Sequence, residues 1–291
     1  MYTNTRCLQK RRFEGKMLQA KNKNFLTFTI LTYVVFWLLL AVTGILIALK
    51  LPAYILTIMK NICAWSPTIA VAILFRKLYP GTTVIDYLKR NFLSKVNPLT
   101  FIAILALQVG VSVIAVLSYI LFNKLTIGSL SLMSPAALLP TFLIIMTSGP
   151  MGEELGWRGY ALNELLKKKN AFKASIILGF IWGFWHLPLW ILSGYSGINL
   201  IRYIFFFLLG IVSLSIIITI FYIRSKNILI AILIHFLFDF LLKIPNINAL
   251  HLFTYTASVY FIAALLLLLI FRKQFFKPAP NLNNMIRGNI I

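Results

Sequence analysis

Residues 148–170 read SGPMGEELGWRGYALNELLKKKN: two adjacent glutamates, Glu153 and Glu154, an arginine four positions after the second, and then a lysine cluster. They end an apolar run at about 134–155 that is long enough to enter a bilayer. The rest of the chain has the same character. It is 60% hydrophobic, 14% aromatic and only 12% charged, with a mean hydropathy of +0.89, far from the balance of a soluble domain. The formal charge of +22 arises from 28 Lys and Arg against 6 acids. These cations flank apolar runs instead of forming a continuous basic face, so the charge reports topology and no nucleic-acid partner is expected.

Apolar runs suited to crossing ~30 Å of hydrocarbon occur at about 25–49, 53–75, 98–122, 134–155, 172–192, 201–223, 228–243 and 251–271. The first follows a basic tail and is too long for a signal-peptide core. The expected fold is therefore all-α: a polytopic membrane protein of about eight transmembrane helices around a buried polar site. The divisions are a basic tail at 1–24, a transmembrane domain at 25–273 and a second basic tail at 274–291, with neither an internal repeat nor a soluble domain.

Charge then orients the helices. Segment 76–97 holds Arg76, Lys77, Lys89, Arg90 and Lys95; 156–173 holds Arg158, Lys167, Lys168, Lys169 and Lys173; 224–227 holds Arg224 and Lys226; the C-terminal tail holds Arg272, Lys273, Lys277 and Arg287. The alternate connections are poor in charge: 123–133 has only Lys124, and 193–200 and 244–250 have none. Both termini are accordingly expected in the cytoplasm, with Lys50 and Lys60 snorkelling at the outer ends of the first two helices. Segment 76–97 is read either as an interfacial helix or as a solvated basic loop. Cys7 and Cys63 suggest neither a disulfide framework nor a thiolate metal site. Acylation of Cys7 is a weak alternative.

Of the six acids, Glu14 and Asp86 fall in cytoplasmic segments and Glu164 beside the lysine cluster, leaving Glu153, Glu154 and Asp239 in or beside apolar helices with His186 and His235. Such groups cost roughly 2.5–3.5 kcal/mol each at the centre of a span, so they are functional candidates. Counted along each helix from the basic ends, Glu153 and His186 lie about 20 Å deep and His235 about 14 Å, a similar level for all three. Residues four apart share a helix face, so Glu154 and Arg158 can pair while Glu153, rotated by about 100°, faces a cavity. His235 and Asp239 are also four apart, with Asp239 able to orient the imidazole, and Trp182 stands one turn before His186 as a possible wall. Each feature alone has a structural reading: a lone intramembrane histidine is more often a helix-to-helix hydrogen bond, the Glu154–Arg158 pair a structural ion pair, and Trp182, Trp185 and Trp190 packing aromatics. His251 is assigned to that class. Together, a carboxylate, two imidazoles and a second acid at one depth are the groups needed to activate water and stabilise an oxyanion.

The motifs EELGWR (Glu153, Glu154, Arg158), WGFWH (Trp182 to His186) and HFLFD (His235 to Asp239), in that order, resemble those of the CAAX protease and bacteriocin-processing (Abi) family of membrane endopeptidases. The resemblance covers roughly residues 98–271. It implies that Glu153 is general base on a water with His186 assisting, that His235 and Asp239 lie at the oxyanion site, and that Glu154 and Arg158 support the first glutamate. Two positions depart from the family pattern: Trp182 often stands as Phe, and Asp239 often as Asn. An ionised Asp cannot donate to an oxyanion, so Asp239 would have to be protonated, orient His235 or bind a metal. Glu153, His186, His235 and Asp239 could also form a first shell for catalytic zinc, although HExxH is absent. The cofactor expectation is therefore none or zinc.

The resulting expectation is an intramembrane endopeptidase that cuts a membrane-associated peptide or protein near the cytoplasmic side of the bilayer, in a water-filled cavity among helices. Relatives act on prenylated CAAX proteins in eukaryotes and in peptide processing or bacteriocin immunity in bacteria. Ile-, Lys-, Phe- and Asn-rich usage points to an AT-rich genome, and so to a bacterial plasma membrane. The alternatives are a non-proteolytic immunity or scaffold protein and a proton-coupled transporter, which should show broken helices.

Overall fold

The computed structural model describes residues 2–277, with side chains from Lys23 onward. Residues 278–291, which make up most of the expected C-terminal tail, lie outside the described residues, as do the side chains of the N-terminal basic cluster, Cys7 included. Among the described residues fourteen α-helices follow one another: α1 (Tyr2–Ala48), α2 (Ala53–Ala64), α3 (Ser66–Leu78), α4 (Val84–Phe92), α5 (Pro98–Phe122), α6 (Pro135–Ser148), α7 (Pro150–Gly156), α8 (Asn163–Leu166), α9 (Ala171–Trp185), α10 (Leu187–Ile191), α11 (Gly197–Ser225), α12 (Ile228–Leu241), α13 (Ala249–Ile270) and α14 (Arg272–Phe275). Among the described residues the only β pairing is an isolated bridge between Leu132 and Pro245.

Every apolar run becomes helix, but not every run becomes one straight span. Lys23–Ala48, Pro98–Phe122, Pro135–Leu166, Gly197–Ser225 and Ala249–Ile270 are each long and apolar enough to cross a bilayer. The second run instead breaks between α2 and α3 with a bend of 51°, where Pro67 removes a backbone donor just after Trp65. The fifth and seventh runs form only 15 and 14 residues of helix, α9 and α12, about 21–23 Å at 1.5 Å per residue. Helix α9 ends at His186 because Pro188 lies two residues on. Irregular backbone at membrane depth is tolerated where it is buried in protein or lines a cavity. The two short helices are the ones that carry the histidines.

Local chemistry starts these helices. Asn97, Asn170, Asn227 and Asn248 each accept a hydrogen bond from the first turn of α5, α9, α12 and α13, caps worth about 1 kcal/mol apiece. Small residues then bring the helices together. A Cβ on Gly156 would meet Pro67 at 2.4 Å and one on Gly152 would meet Trp65 at 2.6 Å, which seats α7 against the α2–α3 bend. Gly179 and Gly183 do the same for α9 against Val212 and Leu208 of α11. Both pairs have the spacing of close membrane helix packing. Leu38, Ile102, Leu121, Leu139 and Leu269 remain more than half exposed on the outside, a surface suited to acyl chains and not to water. The protein is an integral membrane protein.

The ends of the bundle separate as the charges do. Asn227 donates to the carbonyls of Phe92 and Ser94, Tyr79 to that of Gly159, and Asn163 to the Tyr222 hydroxyl, so the basic segments meet at one end. Segment 76–97 takes the helical alternative as α4, capped by Thr83. At the other end Met133 N–H bonds to Ile244, Asn246 to Ser131 and Leu132, and Asn123 to Tyr255, which joins the charge-poor connections.

Candidate functional site

Glu153 and Glu154 lie on α7, just after the chain breaks at Gly149 and just before a π-helical turn at Trp157–Leu162. Such turns often occur at functional sites. The helical rotation separates the two carboxylates as expected. Glu154 is fully buried, with Oε1 2.8 Å from the Arg158 guanidinium. The same oxygen lies 2.8 Å from His235 Nδ1, a contact the spacing did not suggest. The carboxylate accepts from that nitrogen, which leaves Nε2 of His235 on the cavity side, facing Asp239.

Glu153 was expected to be unpaired. Instead Trp182, expected as an apolar wall, donates its indole N–H to Glu153 Oε2 at 2.6 Å. Its ring also carries the Arg158 guanidinium, 4.2 Å from the centroid. Oε1 of Glu153 makes no hydrogen bond and adjoins Gly149. A Cβ placed on that glycine would meet Glu153 Oε1 at 3.5 Å, Asp239 Oδ2 at 3.6 Å and His235 Nε2 at 3.7 Å. Three polar atoms from α7 and α12 thus surround one point, kept open because residue 149 has no side chain.

His186 is the C-cap of α9, and its Nδ1 sits 2.8 Å from the Trp182 carbonyl. A carbonyl only accepts, so Nδ1 carries hydrogen and Nε2 holds the lone pair. Asp239 Oδ2 is 3.4 Å from His235 Nε2, and its side chain is 37% exposed. The orienting role considered for Asp239 on His235 is therefore occupied by Glu154 from the buried side, while Asp239 stands on the open side.

Glu153, Trp182, His186, His235 and Asp239 line a single cavity of about 200 Å³, completed by Ser148, Gly149, Phe207, Ile211, Leu214, Phe238, Leu242 and Phe253. An adjoining space of about 340 Å³ shares Ser148, Phe207, Asp239, Leu242 and Phe253 and continues to Tyr195, Lys243 and Ala249. That path leads to the charge-poor end. The sequence expectations of basic ends in the cytoplasm and chemistry near the cytoplasmic side thus pull apart.

The cofactor expectation stays open: among the described residues no group of three His, Cys, Asp or Glu side chains is set closely enough to hold a metal ion as placed, while Glu153 Oε1, His235 Nε2 and Asp239 Oδ2 border the point beside Gly149. Protein partners hold one oxygen of Glu153 and Nδ1 of each histidine, which leaves Glu153 Oε1 and both Nε2 atoms for water or a metal ion. His251 stays apart, packed against Tyr119. Trp185 and Trp190 pack as aromatics, Trp185 against Phe36 and Trp190 against Phe207.

Residues 135–241 match the type II CAAX prenyl endopeptidase Rce1-like family. A relative from Methanococcus maripaludis, "CAAX prenyl protease 2", is 31% identical over 199 residues, covering 64% of this chain and 71% of the relative. The chain belongs to the CAAX protease family. The family match begins at the start of α6 and ends at the last residue of α12, so it contains all seven residues singled out from the motifs.

Sequence reasoning did not identify Gly149, the Trp182 indole as a donor, or the link from Glu154 to His235. The G-x-x-x-G spacings at 152–156 and 179–183 were available as signals of close packing. Gly149 had only the SGP sequence before the glutamates to mark it. Helix α1 was also read as a plain span, yet Trp37 donates to the Trp185 carbonyl and Tyr33 to that of Ile181, so it braces the end of α9 that presents His186.

Proposed function

We propose that this CAAX-family protein is an intramembrane endopeptidase in which Glu153 activates the hydrolytic water. The observation that supports this most is the open point beside Gly149, bordered by Glu153 Oε1, His235 Nε2 and Asp239 Oδ2 inside a cavity walled by helices. A water there gives one hydrogen to Glu153 Oε1 while Trp182 holds Oε2 and fixes the carboxylate plane. The lone pair on His186 Nε2 is available for a second hydrogen from solvent in the same cavity. When the oxygen attacks the scissile carbonyl, negative charge develops on the carbonyl oxygen. A doubly protonated His235 gives Nδ1–H to Glu154 and has Nε2–H left for that oxyanion. Glu153 then passes its proton to the leaving amine, so the carboxylate is restored and one water is consumed. No step is routed through a metal.

The substrate is a membrane-associated peptide or protein. The relative's name refers to a prenyl protease, and the aromatic space beside the cavity, with Tyr195, Tyr203, Phe207 and Phe253, has room for an apolar segment or lipid. On the basic segments, both termini lie in the cytoplasm. The broken helices expected of a transporter are present, at Trp65, Gly149 and His186. They do not form a path across the molecule, because the cavities at the basic end share no lining residue with the reaction cavity.

The test is Glu153→Gln in proteoliposomes, assayed with a farnesylated CAAX peptide and with an unprenylated membrane peptide, alongside mass spectrometry of membrane peptides from cells. Loss of a general base should lower cleavage by roughly 10²–10⁴-fold with unchanged thermal unfolding. Cleavage at the parental rate would end the proposal. Extensive dialysis against a zinc chelator should leave the parental rate intact, and a loss restored by added zinc would return the metal reading.

A further inference from the structure

A groove of about 410 Å³ lies between the start of α5 and the end of α11 and shares no lining residue with the cavity around Glu153. Both helices pack against α13, whose C-cap Phe271 also lines the groove. Chain direction divides it in two. Lys95, Asn97, Arg224 and Ser225 stand at the rim, where the helices begin and end, and Leu99, Ala103, Ile220 and Phe221 line the part that runs inward. At 1.5 Å per residue, Ala103 lies about 6 Å beyond Leu99, and Ile220 about 6 Å inward of Arg224.

The rim carries charge without compensation. Among the described residues neither Lys95 nor Arg224 has an ion-pair partner; the Arg224 guanidinium instead lies over the Phe271 ring, 4.7 Å from its centroid. No acid lines the groove. The two acids described at this end are engaged elsewhere, Asp86 accepting from Thr83 and Glu164 pairing with Lys167. Arg272 and Lys273, which follow Phe271, add the same sign. Asn97 uses its side-chain oxygen on the N–H of Leu99, so its amide N–H groups are left to donate. The second cleft at the basic end, near Tyr79, Arg90 and Lys226, differs in containing Glu164.

Guanidinium, ammonium and amide N–H groups suit phosphate oxygens, and basic pockets between membrane helices take lipid headgroups. A free phosphate would use the rim and leave the apolar half empty. We infer that the groove binds an anionic phospholipid, with its phosphate between Lys95 and Arg224 and one acyl chain along Ala103, Ile220 and Phe221. Such a lipid joins α5 to α11, the helix against which Gly179 and Gly183 seat α9, and so stabilises the bundle without touching the reacting atoms. The site is independent of the role given to Glu153.

The test uses the full chain, purified in mild detergent and stripped of lipid. Native mass spectrometry and thermal unfolding are followed during titration with phosphatidylglycerol, with phosphatidylcholine of the same acyl chains, or with glycerol 3-phosphate. Phosphatidylglycerol is expected to form a saturable adduct and raise the unfolding midpoint, and the other two to bind at least about ten-fold more weakly. Lys95→Gln with Arg224→Gln should weaken phosphatidylglycerol by about ten-fold or more. Lys60→Gln with Lys124→Gln removes the same charge away from the groove and should leave binding unchanged. Ala103→Phe fills the apolar half, keeps both cations, and should weaken the phospholipid but not glycerol 3-phosphate. Equal binding of the two phospholipids, parental affinity in the Lys95 and Arg224 double variant, or an equal loss in the Lys60 and Lys124 control would overturn the inference. Glycerol 3-phosphate bound as tightly as the lipid would do so as well, since the rim would then be a site for free phosphate.

Discussion

Two adjacent carboxylates occupy contrasting regions of one short helix. Glu154 belongs to a packed floor in which it, Arg158 and Trp157 have no solvent exposure, and its Oε1 joins Arg158 to His235. Glu153 belongs to the cavity wall, with one oxygen fixed by Trp182 and the other directed at open space. A rotation of about 100° per residue is enough to give the same side chain a structural part in one position and a chemical part in the next. In a low-dielectric interior a fixed charge needs a counter-charge, which Arg158 supplies to Glu154, whereas a base needs an oxygen that faces the reacting water.

The sharpest test of this contrast compares conservative amides at the two positions. Glu153→Gln, with the largest expected effect, should lose activity and keep stability. Glu154→Gln should lose both, because it leaves the Arg158 guanidinium buried without its counter-ion. Removing one partner of such a pair costs about 3–5 kcal/mol, read as a lower unfolding midpoint in detergent. Replacing both members with apolar residues, Glu154→Leu with Arg158→Leu, should recover much of the stability and none of the activity, since His235 then has no acceptor for Nδ1. If Glu154→Gln unfolds like the parental chain, the floor is not the structural element described here.

How far this contrast could be read in the sequence depends on its physical range. The helical fold and the two ends of the bundle were legible because hydropathy and cation placement act over whole segments. The Glu154–Arg158 pair was legible because a helix fixes what lies four residues away. The contact between Glu154 and His235 spans 81 positions, and the Trp182 indole reaches Glu153 across 29. No local periodicity encodes such pairings. The bend at Trp65 and the early end of α9 were hidden for a related reason: hydropathy counts apolar residues but does not register where a proline stops a helix inside an apolar run, whereas the shortness of α12 was already visible in its run at 228–243. The opening of the cavity toward the charge-poor end was likewise not in the pattern, because it depends on which loops leave space between them.

Two glycines extend the comparison at smaller magnitude. On the cavity side, Gly149→Ala places a methyl group 3.5–3.7 Å from three polar atoms, an ordinary contact that should leave folding intact. The methyl takes the volume of the water, so activity should fall by about 10²-fold, the lower end for loss of a positioned proton-transfer step. On the packed side, Gly156→Ala drives a Cβ to 2.4 Å from Pro67 and 2.6 Å from its backbone carbon. Neither group can move without shifting α3, so overpacking should destabilise by about 1–3 kcal/mol. Activity per folded molecule should change much less than in Gly149→Ala, and equal losses of activity at the two glycines would erase the distinction between floor and wall.

The smallest effect is expected at Asp239. Its side chain is 37% exposed and stands 3.4 Å from His235 Nε2, the nitrogen on the cavity side, while Glu154 already holds the ring from beneath. Asp239→Asn keeps the shape and an acceptor oxygen, adds an N–H donor and removes one charge. Stability should shift by no more than about 0.5 kcal/mol, as for a partly exposed site outside a buried network. Activity should stay within about ten-fold of the parental rate, because the new donor can serve the oxyanion while the loss of charge weakens the hold on a protonated His235. Asp239→Leu separates the two contributions, since it removes charge and hydrogen bonding together and should cost more activity than Asn. If Asp239→Asn instead abolishes cleavage as completely as Glu153→Gln, the carboxylate on the open side is itself a base or a ligand. The assignment of water activation to Glu153 would then have to be shared between the two walls of the cavity.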